Sequence, residues 1–252
     1  MGAGHAHLLH RPGDTAVHRL PAQVKVVAAL VVVLCVVSTP RGEFRAFGLY
    51  LLLLACVWAL ARIPPGWLAK RALIEAPFVV LAVVLPFTAG GPTVGLLGLR
   101  LSETGLLAGW NILAKGTLGV LVSLTLSATT SPRDLLVGLQ RLRVPALVIT
   151  IATLMLRYLE VISAEAARMR VARICRGHDP RFLWQAGATA RAVGTLFIRS
   201  YERGERVHLA MVSRGWTGTM PDAGRAAAPR VWLAGLVPAV GAALVLGTTL
   251  WV

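Results

Sequence analysis

The sequence predicts an all-α integral membrane protein, with about five transmembrane helices and a cytoplasmic helical region between the fourth and the fifth. Three observations carry this. Hydrophobic residues make up 56% of the 252, charged residues only 15%, and the mean hydropathy is +0.69, a balance more apolar than soluble domains have. Apolar runs of spanning length recur along both ends of the chain, separated by loops whose basic residues gather on alternate sides. Finally, sixteen of the 26 lysines and arginines fall between Ser131 and Arg230, interleaved with seven acids. The chain therefore divides into residues 1–130 (N-terminal tail and transmembrane helices 1 to 4), 131–230 (the wet helical region) and 231–252 (the last transmembrane helix).

Residues 1–19 are polar and carry His5, His7, His10 and His18. Leu20 and Pro21 lead into a first span from Val24 to Val37, interrupted only by Lys25. No small-x-small cleavage pattern follows it and further spans come after, which favours a transmembrane helix over a signal peptide. The second span covers Phe44 to Ala61 and is closed by Arg62, Ile63, Pro64 and Pro65. The third runs from about Ala72 to Phe87 with Pro77 and Pro86 inside it, and Gly90, Gly91 and Pro92 end it. A span carries such prolines where neighbouring helices satisfy the freed carbonyls. The fourth, Thr104 to Thr130, holds Gly105-x-x-x-Gly109, Gly116 and Gly119, small residues that permit close helix contact. Its interior charge, Lys115, must face protein or a cavity. The last span, Val231 to Trp251, is almost featureless, with Trp232 and Trp251 as interface anchors.

Loop charges set the orientation. Arg11, Arg19 and Lys25, then Arg62, Lys70 and Arg71, then the arginine-rich region after Ser131, mark one side. The intervening loops hold only Arg41 and Arg45 with Glu43, and Arg100 with Glu103. The N-terminus and residues 131–230 are thereby predicted to be cytoplasmic and the C-terminus extracytoplasmic.

In the cytoplasmic region, Ser131 and Pro132 form a helix-start signature, N-cap and N1, for a short amphipathic helix to about Leu142. Val144 to Leu156 is apolar throughout and then meets Arg157 and Glu160. This reads as an interfacial or protein-buried helix continuing to Arg176, with a sixth span as the alternative. His178, Asp179 and Pro180 form a turn, and a second long helix runs from Phe182 to Arg214 with Glu202 and Arg206 as an i,i+4 pair.

One pattern occurs twice at the ends of these two helices. Ala172, Cys175, Arg176 and Gly177 are repeated thirty-eight residues later as Ala210, Ser213, Arg214 and Gly215, both Ala-x-x-x-Arg-Gly with a small residue before the arginine. Glycine after a helical pattern is a stop signal, because it takes the left-handed conformation at C′ without a Cβ clash. Stripes lead to both arginines: Leu156, Leu159, Ile162, Ala166, Met169 and Arg173 on the first helix, and Val193, Leu196, Phe197, Ser200, Gly204, Val207 and Met211 on the second. An arginine at one helix end ordinarily complements the macrodipole. Two in the same register offer two guanidinium forks for a partner's carboxylates or carbonyls.

Composition and absences bound the function. The net charge of +15 accompanies no nucleic-acid module and fits a face beside anionic membrane lipid and a protein partner. Cys35, Cys56 and Cys175 lack metal or redox spacing. The chain has no phosphate loop, no His-Glu-x-x-His, and no nucleophile with a plausible base. No catalytic, cofactor-binding or metal site is predicted, and the tail histidines are read as weak, adventitious chelators because ordering a flexible tail costs about 1 to 2 kcal/mol per residue.

Five stretches stand out together: His18-Arg19-Leu20 with Val24-Lys25, Ser131-Pro132-Arg133-Asp134-Leu135-Leu136, Leu142-Arg143-Val144-Pro145, Arg199-Ser200-Tyr201-Glu202-Arg203 and Ser213-Arg214-Gly215-Trp216. With these the chain resembles a known family, the transmembrane T component of energy-coupling factor (ECF) transporters of the cobalt/nickel CbiQ type. In that family two Ala-Arg-Gly signatures end coupling helices that insert into grooves on a pair of ATPases. By position these correspond to Cys175-Arg176-Gly177 and Ser213-Arg214-Gly215, with Cys and Ser in place of alanine. The resemblance implies a non-catalytic scaffold in a bacterial or archaeal cell membrane, with two ABC ATPases of the CbiO type that hold the ATP. A separate substrate-binding membrane subunit of the CbiM/NikM type would capture cobalt or nickel, and no nucleic acid is involved. Two other classes stay open on the residues alone: a basic membrane-anchored scaffold binding anionic lipid, and a secondary transporter, for which only Lys115 and Glu75 are available as buried ionisable groups.

Overall fold

The computed structural model describes residues 10–90, 92–96, 99–177, 187–219 and 228–251. The chain forms two compact units, residues 142–223 and a bundle of residues 9–141 with 224–252. In chain order the bundle contains α1 (Ala16–Arg19), α2 (Ala22–Ser38), α3 (Phe44–Ala61), α4 (Pro65–Ala72), α5 (Ala76–Thr88), strands β1 (Thr93–Leu96) and β2 (Leu99–Ser102), α6 (Glu103–Thr129) and α7 (Pro132–Arg141). The other unit contains α8 (Ala146–Cys175) and α9 (Gly187–Ser213), and the chain ends in α10 (Pro229–Gly235) and α11 (Val237–Trp251) of the bundle.

Among the described residues α3, α6 and α8 are each long and apolar enough to cross a membrane, and α10 with α11 is so as a pair bent by 49°. Helix α2 is apolar over 17 residues, about 26 Å at 1.5 Å per residue. The second and fourth predicted spans thus match α3 and α6 almost residue for residue. The third is shorter than predicted. Its first residues belong to the separate helix α4 and a 3₁₀ turn, Leu73–Glu75, leaving 13 residues in α5. Starting α5 at Ala76 puts Pro77 in the first turn, where an N–H is not needed, and leaves Pro86 as the one interior proline. The last span is broken at Leu236, just ahead of Pro238, which has no N–H to donate to the Ala234 carbonyl and whose ring crowds that carbonyl in a continuous helix. Between Pro92 and Glu103, where only a loop was predicted, β1 and β2 pair as an antiparallel hairpin with Thr93 opposite Ser102.

The bundle core gathers around Tyr50, which is fully buried and shares a hydroxyl contact of 3.0 Å with Thr39. Trp58 Nε1 donates to Thr125 Oγ1 at 2.7 Å, joining α3 to α6. The predicted glycine contact is between α5 and α6. A Cβ on Gly109 would lie 2.6 Å from the Ala82 carbonyl oxygen, and one on Gly105 2.7 Å from that of Leu85. A Cβ on Gly116 would meet the carboxylate of Glu75, whereas Gly119 faces open space and takes no part. Glu75, 4% exposed, accepts from the Thr117 hydroxyl at 3.2 Å. Lys115 meets protein as expected, its Nζ donating to the Val37 carbonyl at 2.7 Å.

Candidate functional site

The two Arg-Gly ends belong to α8 and α9, which run antiparallel. Arg173, in the last turn of α8, donates to Thr189 near the start of α9. Midway, Glu165 accepts from Arg199 and Arg203, both at 3.1 Å. Glu165 is 13% exposed and Arg203 33%, so this bracket is shielded enough from water to exceed an ordinary surface ion pair. Glu202 and Arg206 are 4.0 Å apart on the wet side, a pair of little energetic weight.

Around these contacts the half-buried residues trace a narrow seam on each helix: Tyr158, Ile162, Glu165, Met169 and Arg173 on α8, and Thr189, Ala192, Leu196, Ser200, Arg203, Val207 and Met211 on α9. The predicted stripes overlap the seam only in part, for Leu159, Val193 and Phe197 remain at least half exposed and Ala166 and Gly204 are exposed. One helical neighbour covers a strip far narrower than the apolar face the periodicity marks. The first half of α8 is left similarly open at Leu147, Val148, Ile151 and Met155.

Both helix ends have the predicted termination. Gly177 and Gly215 take φ of 75° and 80°. The Gly177 amide donates to the Ile174 carbonyl at 2.9 Å, and that of Gly215 to Val212 at the same distance. At the second end the Trp216 amide also donates to Met211 at 3.0 Å, which completes a Schellman motif with glycine at C′. Arg176 and Arg214 are therefore the C-cap residues of their helices. The Trp216 and His208 rings pack edge to face with their centroids 6.0 Å apart, holding the chain down beside Arg214. All eight predicted site residues, Ala172, Cys175, Arg176, Gly177, Ala210, Ser213, Arg214 and Gly215, are exposed. Among the described residues neither the Arg176 nor the Arg214 guanidinium has a hydrogen-bond or ion-pair partner.

The structure does not bring the two arginines together. Arg176 lies eleven residues beyond Glu165, and Arg214 eleven beyond Arg203. Because the helices run in opposite directions, the two forks point out of opposite ends of the hairpin, about 30 Å apart along its length. Glu165 and Arg203 are themselves thirty-eight residues apart, the spacing of the repeat, so the ion pair joins equivalent positions of its two copies. Sequence reasoning did not single out Glu165, although this register was the signal that could have found it. The turn at His178, Asp179 and Pro180, and the start of the second helix at Phe182, lie outside the described residues, as do His5 and His7. Of the tail histidines, His18 is described with Nδ1 2.7 Å from the Thr15 hydroxyl. Among the described residues no three His, Cys, Asp or Glu side chains form a group able to hold a metal ion.

Residues 13–223 match the family model described as CbiQ, cobalt transport protein. The chain is 30% identical to the cobalt transport protein CbiQ of Rhodobacter capsulatus over 169 residues, 67% of each chain. It is 28% identical over 224 residues to the energy-coupling factor transporter transmembrane protein EcfT of Bacillus selenitireducens, covering 82% of each. It is also 30% identical over 145 residues to a protein of Methanocorpusculum labreanum named as a fused cobalt transport protein CbiMQ, covering 55% of this chain and 24% of that one.

Proposed function

The chain belongs to the CbiQ cobalt transport protein family, and from that premise we propose that it is the energy-coupling subunit of an ECF-type ABC importer for cobalt or nickel ions. It links two ABC ATPase subunits of the CbiO type to a separate substrate-binding membrane subunit of the CbiM/NikM type. The ATPases hold the ATP, and this chain catalyses nothing and carries no cofactor of its own. The relative whose name joins CbiM and CbiQ in one chain supports a partner of that kind.

The observation that carries the reading is the pair of exposed Arg-Gly ends at opposite ends of one hairpin. Each presents a rigid, always-charged fork with five N–H donors on a helix terminated by its own backbone bonds. Their separation suits two partner molecules, one per end. When ATP draws the two ATPases together, the ends are drawn with them, and the helices shift about their shared Glu165 bracket. Work is transmitted only if the forks bind the open and closed ATPase states with different affinity. The hairpin faces the cytoplasm in this arrangement, in keeping with its arginine content.

Purification from cells co-expressing the ATPases and the substrate-binding subunit tests the assembly. Co-elution with two ATPase chains, lost on changing Arg176 and Arg214 to glutamate, is the expected result. A chain that elutes alone and requires only anionic lipid overturns it in favour of a lipid-bound scaffold.

A further inference from the structure

Helices α4 and α5 lie one after the other along α6 and make a single broken span. The approach of Gly109 to Ala82 and of Gly105 to Leu85 places α5 beside the first half of α6. Glu75, in the 3₁₀ turn between α4 and α5, meets Gly116 and Thr117 at the middle of α6. Helix α4 also packs on α6, with Leu68 in one core cluster with Leu118, Leu121 and Val122, so it covers the half that α5 leaves. The outer face of this span therefore runs from the end of the bundle, where Arg62 caps α3, to mid-height.

That outer face changes chemistry along its length. Leu68 and Glu75 are buried, seven residues apart on the inward stripe. Arg62 and Lys70 are exposed, and among the described residues neither side chain has a hydrogen-bond or ion-pair partner. Next come Leu73 and Ile74, 72% and 75% exposed, and then Phe78, also exposed. Between Arg45 and Arg100 the chain has one acid, Glu75, and its carboxylate is turned inward to the Thr117 hydroxyl. The second half of α6 has none. Of the acids in the neighbouring elements, Asp14 pairs with Arg19 at 2.7 Å and Asp134 is set against Lys25. Arg62 and Lys70 are thus left without a countercharge. Arg71 lies over the Trp67 ring, 4.0 Å from its centroid, and tryptophan marks the level of a membrane–water interface.

We infer that the outer face of α4 holds one anionic phospholipid, its phosphate against Lys70 and Arg62 and an acyl chain along Leu73, Ile74 and Phe78. Helix α4 has eight residues, about 12 Å, short enough for the two long side chains that bracket it to converge on one headgroup. Charge complementarity selects an anionic lipid, because basic residues at the membrane surface attract such headgroups and nothing in the chain neutralises these two. The order of the residues, cations at the bundle end and bare apolar side chains toward mid-height, is the order of a lipid itself. A free phosphate would use the cations and leave Leu73 and Ile74 uncovered. The site belongs wholly to the bundle and is independent of the coupling role proposed for the Arg-Gly ends.

The test uses the 252-residue chain reconstituted in phosphatidylcholine nanodiscs. These are doped either with phosphatidylglycerol carrying a photoactivatable diazirine in one acyl chain or with phosphatidylcholine carrying the same chain. Labelled residues are mapped by peptide mass spectrometry, with exposed Val240 and Leu244 of α11 as the reference for bulk lipid. Relative to that reference, phosphatidylglycerol should label residues 73–78 about tenfold more than phosphatidylcholine does, a preference set by the two cations. Excess glycerol phosphate should not reduce the labelling. R62Q with K70Q removes charges that pair with no protein group, so it should leave folding intact and bring phosphatidylglycerol labelling of residues 73–78 down to the phosphatidylcholine level. Equal labelling by the two lipids, displacement by glycerol phosphate, or a double variant labelled like the parent would each overturn the assignment. Should the double variant fail to fold, K70Q alone and the headgroup comparison still decide it.

Discussion

The ammonium of Lys25, in the first turn of α2, lies 2.7 Å from the carbonyl oxygen of Thr129, in the last turn of α6. Lys115 of α6 stands in the same relation to Val37, at the end of α2, also at 2.7 Å. Each of the two antiparallel helices thus supplies a cation to the carbonyl end of the other. A charge inside a membrane segment is costly unless it has a partner, and helix C-termini offer both free carbonyls and the negative end of the dipole.

Changing Lys25 to methionine should therefore destabilise the bundle by about 1 to 3 kcal/mol, the cost of leaving a buried acceptor unsatisfied. Lys115→Met should cost less, because its contact is exposed. Thermal unfolding of the purified variants in one detergent compares them, and equal midpoints for Lys25→Met and the parent would remove the capping role.

Gly109→Val should separate α5 from α6, since even a Cβ would sit 2.6 Å from the Ala82 carbonyl oxygen. Overpacking of this kind costs about 1 to 3 kcal/mol. Gly119→Ala, which meets nothing within 4 Å, should leave stability unchanged or slightly raised. Folded yield and unfolding temperature read both, and a harmless Gly109→Val would mean that the helices are not in this contact.

Glu165→Gln should loosen the α8–α9 hairpin by about 1 to 3 kcal/mol, because two arginines lose the charge that both contact. Under the coupling proposal, metal uptake should fall more than ATP turnover, as the two ends no longer move about a fixed point. Uptake and turnover lowered in equal proportion would instead indicate a loss of folded protein.

Under the coupling proposal, Arg176→Glu with Arg214→Glu should abolish ATP-driven cobalt or nickel uptake. Reversing a charge that sits in a partner's groove costs about 2 to 5 kcal/mol per site on the scale of truncated charge pairs. The arginines have no partner among the described residues, so thermal stability of the isolated subunit should fall only slightly, by the roughly 0.3 to 1 kcal/mol that a charge at each helix C-terminus contributes. Full uptake by the double variant at normal expression would exclude both residues from coupling.

The tail offers a pH test. Burial, and then the charge of Lys25, hold His18 below its ordinary value near 6.5. The folded chain thus binds the His18 proton less readily than the unfolded chain, and stability should fall as pH drops from about 6.5 toward the folded value. His18→Gln should flatten that slope, and an unaltered slope would assign it to other groups. Asp14, held below its usual value by Arg19, acts in a separate window below about 4.

Helix identity was legible in the sequence wherever local chemistry decides it. The apolar run of α3, the Ser131 cap, whose hydroxyl accepts from the Asp134 amide at 3.1 Å, and the left-handed Gly177 and Gly215 all follow from residues within one or two turns. So did the doubled Arg-Gly pattern, because a repeat is a property of the chain alone. Tertiary structure decided what depends on a neighbour's position. The break of α10 from α11, the choice of Gly109 over Gly119 for helix contact, and the narrow α8–α9 seam are fixed by which element packs where. The Glu165 bracket with Arg203 and the burial of Glu75 against Gly116 are of the same kind. The reason is range: capping and periodicity act through the backbone over a few residues, whereas an ion pair or a buried contact requires groups far apart in sequence to converge, and only the packed helices bring them together.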